Sequence, residues 1–139
     1  MRGGEALGPR LRPLPTRGLV SAAKLRYRQG NQRSGISPMI IREWRGRAFP
    51  SSADAYPTHF RNHVVPELQA LTGFIGAHLS RRTLDDRIEF VVLTRWKDMD
   101  AIRGFAGDMV GKAVVEPGAV AALIEFDDFV EHYEVVEEI

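Results

Sequence analysis

The sequence predicts an α+β domain whose elements follow the order βαββαβ. Four segments alternate like strands, two segments with apolar residues at helical spacing lie between them, and Pro, Gly and Asp residues mark the joints. Two successive βαβ units with right-handed crossovers fold into a four-stranded antiparallel sheet with both helices on one face. The predicted fold is therefore ferredoxin-like, with one face of the sheet left bare.

The first strand is predicted at residues 39–47, with Arg42 and Trp44 on the same side. The first helix is predicted to begin just after it. Ser51 is its expected N-cap, and Asp54, three residues later, is the capping-box partner.

The first helix has a predicted buried stripe at helical spacing, formed by Ala53, Tyr56, Phe60, Val64 and Leu68. Pro57 and Pro66 fall inside this pattern and each removes a backbone donor, so a kink or a break is expected. Gly73 is expected to end the segment.

A hairpin follows, with strands at residues 74–82 and 87–96. Its second strand has one apolar face that must be buried, formed by Ile88, Phe90, Val92, Thr94 and Trp96. Val91 and Leu93 make the other face apolar as well, so both sides of this strand need a cover. The helices supply one cover, and the sheet of a second copy of the chain is the simplest other one.

The second helix is predicted after the N-cap Asp98, with its inner stripe at Met99, Ile102, Phe105 and Ala106. Residues 109–126 are expected to hold one or two short helical turns, broken at Pro117-Gly118. The last strand is predicted at residues 129–137.

Length and composition fit one globular domain, because 139 residues with 44% hydrophobic content can bury a core. The chain has no cysteine, which excludes disulfides, thiolate metal sites and cysteine nucleophiles and makes a cytoplasmic location the default expectation. No apolar run approaches the roughly 18–20 residues of a membrane span, so no membrane partner is expected.

The basic charge is concentrated at the N-terminus. Residues 1–38 hold eight of the 19 basic residues and one of the 18 acidic ones, and residues 39–139 are net acidic. We interpret residues 1–38 as a disordered basic leader, translated from a start placed upstream of Met39, and residues 39–139 as the domain. A transit peptide and a nucleic-acid-binding arm are the alternatives, but Tyr27 is the leader's one aromatic, so no nucleic-acid partner is expected.

Three stretches of the sequence resemble a known protein family. Residues 91–105 (VVLTRWKDMDAIRGF), 66–76 (PELQALTGFIG) and 130–135 (VEHYEV) resemble the antibiotic-biosynthesis-monooxygenase family. The resemblance implies a dimeric α+β barrel: a homodimer paired through the sheets, with a small ligand cavity in each subunit between sheet and helices. Members of that family include cofactor-free oxygenases of polycyclic phenols and quinols, haem-degrading enzymes and isomerases.

The sequence departs from the haem-degrading members. The resemblance implies an Asn on the first strand and a His about three helical turns past Trp96, but the first strand has no Asn and residues 105–107 are Phe-Ala-Gly. The residue set of the cofactor-free oxygenases does not map position by position, although its residue types are supplied by Asn62, Trp96, Tyr56 and Arg95.

Two histidines are candidate general bases, since an imidazole titrates near neutral pH. His63 flanks the Tyr56 and Phe60 stripe of the first helix and could face the cavity, and the alternative is a surface or core histidine. It also lies four residues after His59, a metal-binding spacing, but without a third ligand no metal is expected. His132 shares a face of the last strand with Glu134, and the alternative is a polar pair at a dimer interface.

Four aromatic residues are candidates for substrate binding: Trp96, Tyr56, Phe60 and Trp44. The competing interpretation is that they fill the core. The sequence thus predicts a homodimeric monooxygenase that oxidises a small aromatic substrate without a cofactor, with His63 or His132 as base. The alternative is a non-catalytic dimeric module that binds a hydrophobic metabolite.

Overall fold

The computed structural model describes residues 38–139, and the predicted disorder of the basic leader lies outside them. Strands β1 (Ile40–Ala48), β2 (Phe74–Thr83) and β3 (Ile88–Trp96) form an antiparallel sheet in the order β2-β3-β1. Two short antiparallel strands, β4 (Glu125–Phe126) and β5 (Glu131–Glu134), share the free edge of β1. The ferredoxin-like α+β prediction is confirmed.

The last strand is shorter than predicted, and the edge of β1 that it occupies is shared with the short strand β4. Between β4 and β5 the chain leaves β1 and pairs instead with the loop at residues 111–113. Ala113 donates to the carbonyl of Asp128 at 2.9 Å, and Val130 donates to that of Gly111 at 2.9 Å. Non-local pairing of this kind has no periodic signature in the sequence.

The first helical segment changes its winding along its length. A 3₁₀ turn at Pro50–Ser52 precedes helix α1 (Ala55–His59), a π-helical stretch (Phe60–Val64) and helix α2 (Val65–Gln69). The break expected from the prolines is thus a wider turn that ends just before Pro66, whose ring would clash with a tightly wound preceding turn.

The predicted capping box at the start of this segment is wrong. Phe49 precedes the 3₁₀ turn and Asp54 precedes α1, and neither start has a side-chain cap hydrogen bond. Ser51 lies inside the 3₁₀ turn, where it cannot act as the cap of the longer helix.

The core lies between the helical segments and one face of the sheet. Tyr56, Phe60 and Leu68 of the predicted stripe are buried, and all five predicted inward residues of β3 are buried. Each large apolar side chain buried in this way contributes roughly 1.5–3 kcal/mol to folding.

Helix α3 (Met99–Ala106) begins as predicted, since the Asp98 carboxylate accepts from the Ala101 amide at 2.8 Å. Helix α4 (Pro117–Ala122) corrects the prediction that helical turns break at Pro117-Gly118, because the proline begins the helix there. A first-turn proline costs little, since the N–H it lacks would have no partner within the helix. No helix within residues 38–139 is long and apolar enough to cross a membrane.

Gly73 joins α2 to β2 with a φ of 88°, and a Cβ there would lie 2.5 Å from the Cβ of Ala101 on α3. We therefore expect Gly73→Ala to lower the free energy of unfolding by about 3 kcal/mol, from the left-handed backbone and the overpacking together. Urea denaturation measures it.

Gly104→Ala is the matched control, because that helical position has nothing within 4 Å of an added Cβ. It should gain up to about 1 kcal/mol from helix propensity. Equal stability of Gly73→Ala and the wild type would contradict the packing described for this turn.

Candidate active site

A small cavity of about 50 Å³ lies between the inward face of the sheet and the helices. Its walls are mainly aromatic and aliphatic, with three polar side chains among them: Arg42, Trp44, Tyr56, Val64, Leu68, Val92, Thr94, Phe105, Val114, Glu116 and Ala119. Pockets for drug-sized ligands have roughly 300–1,000 Å³, so a substrate with several rings would require this cavity to expand.

Trp44 and Tyr56 form the aromatic wall. Their ring centroids are 5.8 Å apart, and Tyr56 packs on Phe90 of the core at 5.5 Å. The Trp44 indole N–H donates to the carbonyl of Asp127 at 2.7 Å. The polar atom of this indole is therefore satisfied away from the aromatic surface that it gives to the cavity.

Trp96 is fully buried and supports the cavity from its outer side. Its ring packs on Phe105 at 5.7 Å, and its indole N–H donates to the Thr94 hydroxyl at 2.7 Å. Because Thr94 accepts this bond, its own proton is free to be donated to another group. Trp96 thus positions two residues of the cavity wall and is not part of the wall.

Arg42 places a positive charge inside the core, where only 4% of the residue is exposed. Its guanidinium donates to the carbonyls of Val110 at 2.6 Å and Lys112 at 2.9 Å, and lies 5.8 Å from the ring centroid of Phe105. Burial lowers the pKa of Arg42 to about 10, so it remains charged at neutral pH. No carboxylate within residues 38–139 lies within ion-pair distance of it.

His132 contacts this guanidinium, with its Nε2 at 3.0 Å from Nη1 of Arg42. Arginine can only donate, so Nε2 of His132 accepts and the ring proton is assigned to Nδ1. The Nε2 lone pair is then occupied by Arg42. His132 therefore contacts Arg42 and is not among the residues that line the cavity.

Glu116 lines the cavity and approaches two other titratable side chains. Its Oε1 lies 3.4 Å from Nε2 of His59, a largely buried histidine. A hydrogen bond to Glu116 raises the pKa of Glu67 above its ordinary value, and burial and the negative charge of Glu116 add to this. Burial also raises the pKa of Tyr56, so Tyr56 is a phenol at neutral pH.

His63 and Phe60 lie outside the cavity wall. His63 is exposed, and its ring stacks on that of His59 with centroids 5.3 Å apart. Phe60 packs behind Tyr56 at 6.2 Å. Of the six predicted site residues, Trp44 and Tyr56 line the cavity. Catalysis by either predicted histidine stays a prediction.

Comparison with known proteins identifies the family. The profile of the antibiotic biosynthesis monooxygenase family matches residues 39–117, more than half of the chain. The chain belongs to the antibiotic biosynthesis monooxygenase family. Proteins of this family are typically dimeric. No curated protein sequence matches the chain.

Solved structures share this fold. A Bacillus cereus protein, whose name assigns it to the antibiotic biosynthesis monooxygenases, aligns with a TM-score of 0.53 at 17% identity, over 74% of this chain and 98% of that one. Haem-degrading protein from Mycobacterium tuberculosis gives 0.48 at 18% identity, over 74% and 98%. SnoaB, a cofactor-independent oxygenase from Streptomyces nogalater, gives 0.45 at 18% identity, over 74% and 96%. The first likeness shows the fold, and none of the three indicates which chemistry this chain performs.

The residues that line the cavity of this chain do not fit haem. No histidine is among the residues that line it, and Phe105 forms part of the wall in the stretch where the resemblance implied a histidine. No three His, Asp or Glu side chains within residues 38–139 converge as a metal site.

Arg42 and Glu116 are the two charged wall residues that the sequence did not single out. Arg42 had a signal, because it shares its strand face with Ile40 and Trp44, and a charge on an inward apolar face is unusual. Glu116 had none, since it lies in a stretch without periodicity.

The contact between His132 and Arg42 can be tested by stability. His132→Leu should lower the free energy of unfolding by about 1–3 kcal/mol, because a buried guanidinium N–H loses its acceptor. His132→Gln should recover most of this loss, since its amide oxygen can accept. Urea denaturation of the two variants decides, and equal losses would contradict the proposed acceptor role.

Proposed function

We propose that the protein is a homodimeric enzyme that oxidises a small electron-rich aromatic substrate with O₂ and without a cofactor. The observation that carries the proposal is Arg42, a buried cation without a carboxylate partner in the described chain, on the wall of an aromatic cavity. A buried charge is costly unless it is paired. An anionic ligand, such as a deprotonated phenol, would supply the missing negative charge.

The chemistry follows from the charge of the bound ligand. Deprotonation makes the ring electron-rich enough to transfer an electron to O₂, and Arg42 lies where it can stabilise the anion. For an anthrone the balance is R₂CH₂ + O₂ → R₂C=O + H₂O. The substrate's own electrons reduce the second oxygen atom to water, so no external reductant enters.

The residues predicted from the sequence have four different roles in this proposal. Trp44 and Tyr56 hold the ring, and Phe60 and Trp96 support the wall from outside. His132 is a positioning residue that holds Arg42. His63 is exposed beside His59, so we propose at most an indirect part for it in proton exchange with solvent.

The bare face of the sheet is the proposed dimer surface. Val91 and Leu93 of β3 lie half-buried on the side away from the helices. Beside them, Glu89 is within ion-pair distance of three arginines, Arg45, Arg47 and Arg82, at 3.4, 3.8 and 2.8 Å. A second sheet would remove the apolar pair from water and shield these ion pairs.

The dimer surface predicts the effect of a charge placed on it. Leu93→Glu should produce a monomer, because a carboxylate would be buried at the centre of the contact. Size-exclusion chromatography with light scattering measures the mass. Val120→Glu, on the exposed side of α4, is the matched control and should remain a dimer. A monomeric wild type at micromolar concentration would contradict the surface.

The role of Arg42 predicts the activity of its variants. Oxygen uptake should appear with some members of a panel of anthrones and quinols, and Arg42→Met should lower it by about 100-fold or more, as for the loss of one preorganised anion-stabilising group. Arg61→Met, at an exposed position of the π-helical stretch, is the matched control and should retain the wild-type rate. His63→Ala should have little effect.

A non-catalytic binding module is the second candidate. The small size of the cavity and the lack of a histidine on its wall favour it. Binding of the same compounds by the wild type with no oxygen uptake for any of them would support this function and count against the oxygenase.

A further inference from the structure

We propose that Glu116 is the proton acceptor of the cavity and that His59 and Glu67 connect it to solvent, so that a phenolic ligand binds as its anion while its proton stays on the protein. This rests on the proposed function only in taking the ligand to be an acidic aromatic molecule. It assigns a catalytic base in place of the two histidines favoured by the sequence.

The backbone around Glu116 fixes where its carboxylate lies. Glu116 is the residue before α4, and its carbonyl accepts from the amides of Ala119 at 2.9 Å and Val120 at 3.1 Å. The Glu116 side chain makes no cap hydrogen bond to the helix and instead lines the cavity.

The environment of His59 supports the same role for Glu116 independently. Its side chain is 10% exposed, and its Nε2 has no hydrogen-bond partner within the described residues while lying 3.4 Å from Oε1 of Glu116. A buried polar atom left in this way is unusual in a folded protein. Gly118 of α4 packs closely on this ring, because a Cβ at that position would lie 2.5 Å from Nδ1 of His59.

Nε2 of His59 and the carboxylate of Glu116 could share a proton in a hydrogen bond. A proton held between Glu116 and His59 would satisfy both groups after a small closure of the 3.4 Å gap.

Glu67 provides the exit to solvent. It is exposed on α2 and forms a hydrogen bond with Glu116, which makes the protonated carboxyl of Glu67 more stable than in water. His63, exposed and stacked on His59, is another titratable group on this side. Tyr56 also faces Glu116, but burial raises its pKa, so its hydroxyl stays protonated and cannot act as the base.

The step conserves charge and electrons. The O–H bond of the ligand breaks, its electron pair stays on the ligand oxygen, and the proton forms a bond to a carboxylate oxygen of Glu116. The anion is stabilised by the guanidinium of Arg42 on another part of the same wall. The proton then passes to Glu67 or His59 and to water, and no oxidant takes part.

The experiment uses 4-nitrophenol, a single-ring probe whose anion absorbs at longer wavelength than its neutral form. The full chain is titrated with it at a pH below the probe's own pKa. The wild type should bind it as the anion without net release of a proton to the buffer, as measured by calorimetry in two buffers of different ionisation enthalpy. Glu116→Gln should bind the neutral form, with affinity for the anion lowered by at least tenfold.

Control variants distinguish the loss of Glu116 as the base from the loss of a negative charge elsewhere on the protein. Asp54→Asn, next to α1 and with a 95% exposed side chain, should bind the anion like the wild type. Glu116→Asp keeps a carboxylate and should retain part of the spectral shift even if the amide variant folds poorly. His59→Phe should keep the shape of the ring but weaken proton retention.

A second measurement tests the link between Glu67 and Glu116. The pKa of Glu67 is raised in the folded state, so its stabilising contribution is present below the ordinary value of 4.5 and is lost as pH rises through the folded-state pKa. The difference in unfolding free energy between wild type and Glu67→Gln should therefore fall over this range, and Glu116→Gln should flatten it.

Three outcomes would overturn the inference. If the wild type binds the probe in its neutral form, or Glu116→Gln binds the anion as tightly as the wild type, Glu116 is not the acceptor, while oxygen uptake would still support the proposed function. If the wild type does not bind 4-nitrophenol, the inference fails, and the proposed function fails with it only if no anthrone or quinol gives oxygen uptake.

Discussion

The buried guanidinium of Arg42 holds together parts of the domain that are distant in the sequence. From β1 it reaches the carbonyls of Val110 and Lys112 in the long loop before α4, and Nε2 of His132 on β5. A charged group in a core must find several partners at once, because leaving its donors unsatisfied costs more than an apolar residue would. The path of the loop is therefore constrained by Arg42, and that loop leads to Glu116.

The path of this loop determines which charged groups line the cavity. The wall receives a cation from β1 and a carboxylate from the residue before α4, while the sheet and α1 supply aromatic rings. Opposite charges in one low-dielectric cavity would normally pair, but Glu116 instead approaches His59 and Glu67. The cation and the base thus remain available for different parts of a ligand, which suits chemistry that begins by separating a proton from an anion.

The central strand β3 carries a second constraint. Its inward residues are buried by the helices, and its outward residues Val91 and Leu93 are apolar although no element of residues 38–139 covers them as the helices cover the other face. The charged residues around them are arranged about Glu89, which pairs with arginines from two neighbouring strands. This is the surface that the second sheet of the proposed dimer would cover.

The sequence by itself determined the elements that depend on local periodicity. Alternation placed Phe90 and Trp96 in the core, and the carboxylate of Asp98 marked the start of α3. Prediction failed where backbone groups pair at long range, since the chain between β4 and β5 bonds to the loop at residues 111–113. It also failed at Pro117 for a local reason, because a proline that was expected to break the helix begins it.

The site was decided by the tertiary structure. Residue types pointed to histidines, since imidazole is the usual base near neutral pH. In the tertiary structure His132 is hydrogen-bonded to Arg42 and His63 lies at the surface. Arg42 and Glu116, which are distant in the sequence, line the same cavity. Local patterns report which face of an element is buried. Which polar groups meet inside is set by how distant segments satisfy one another's charges and hydrogen bonds, and no local pattern contains that information.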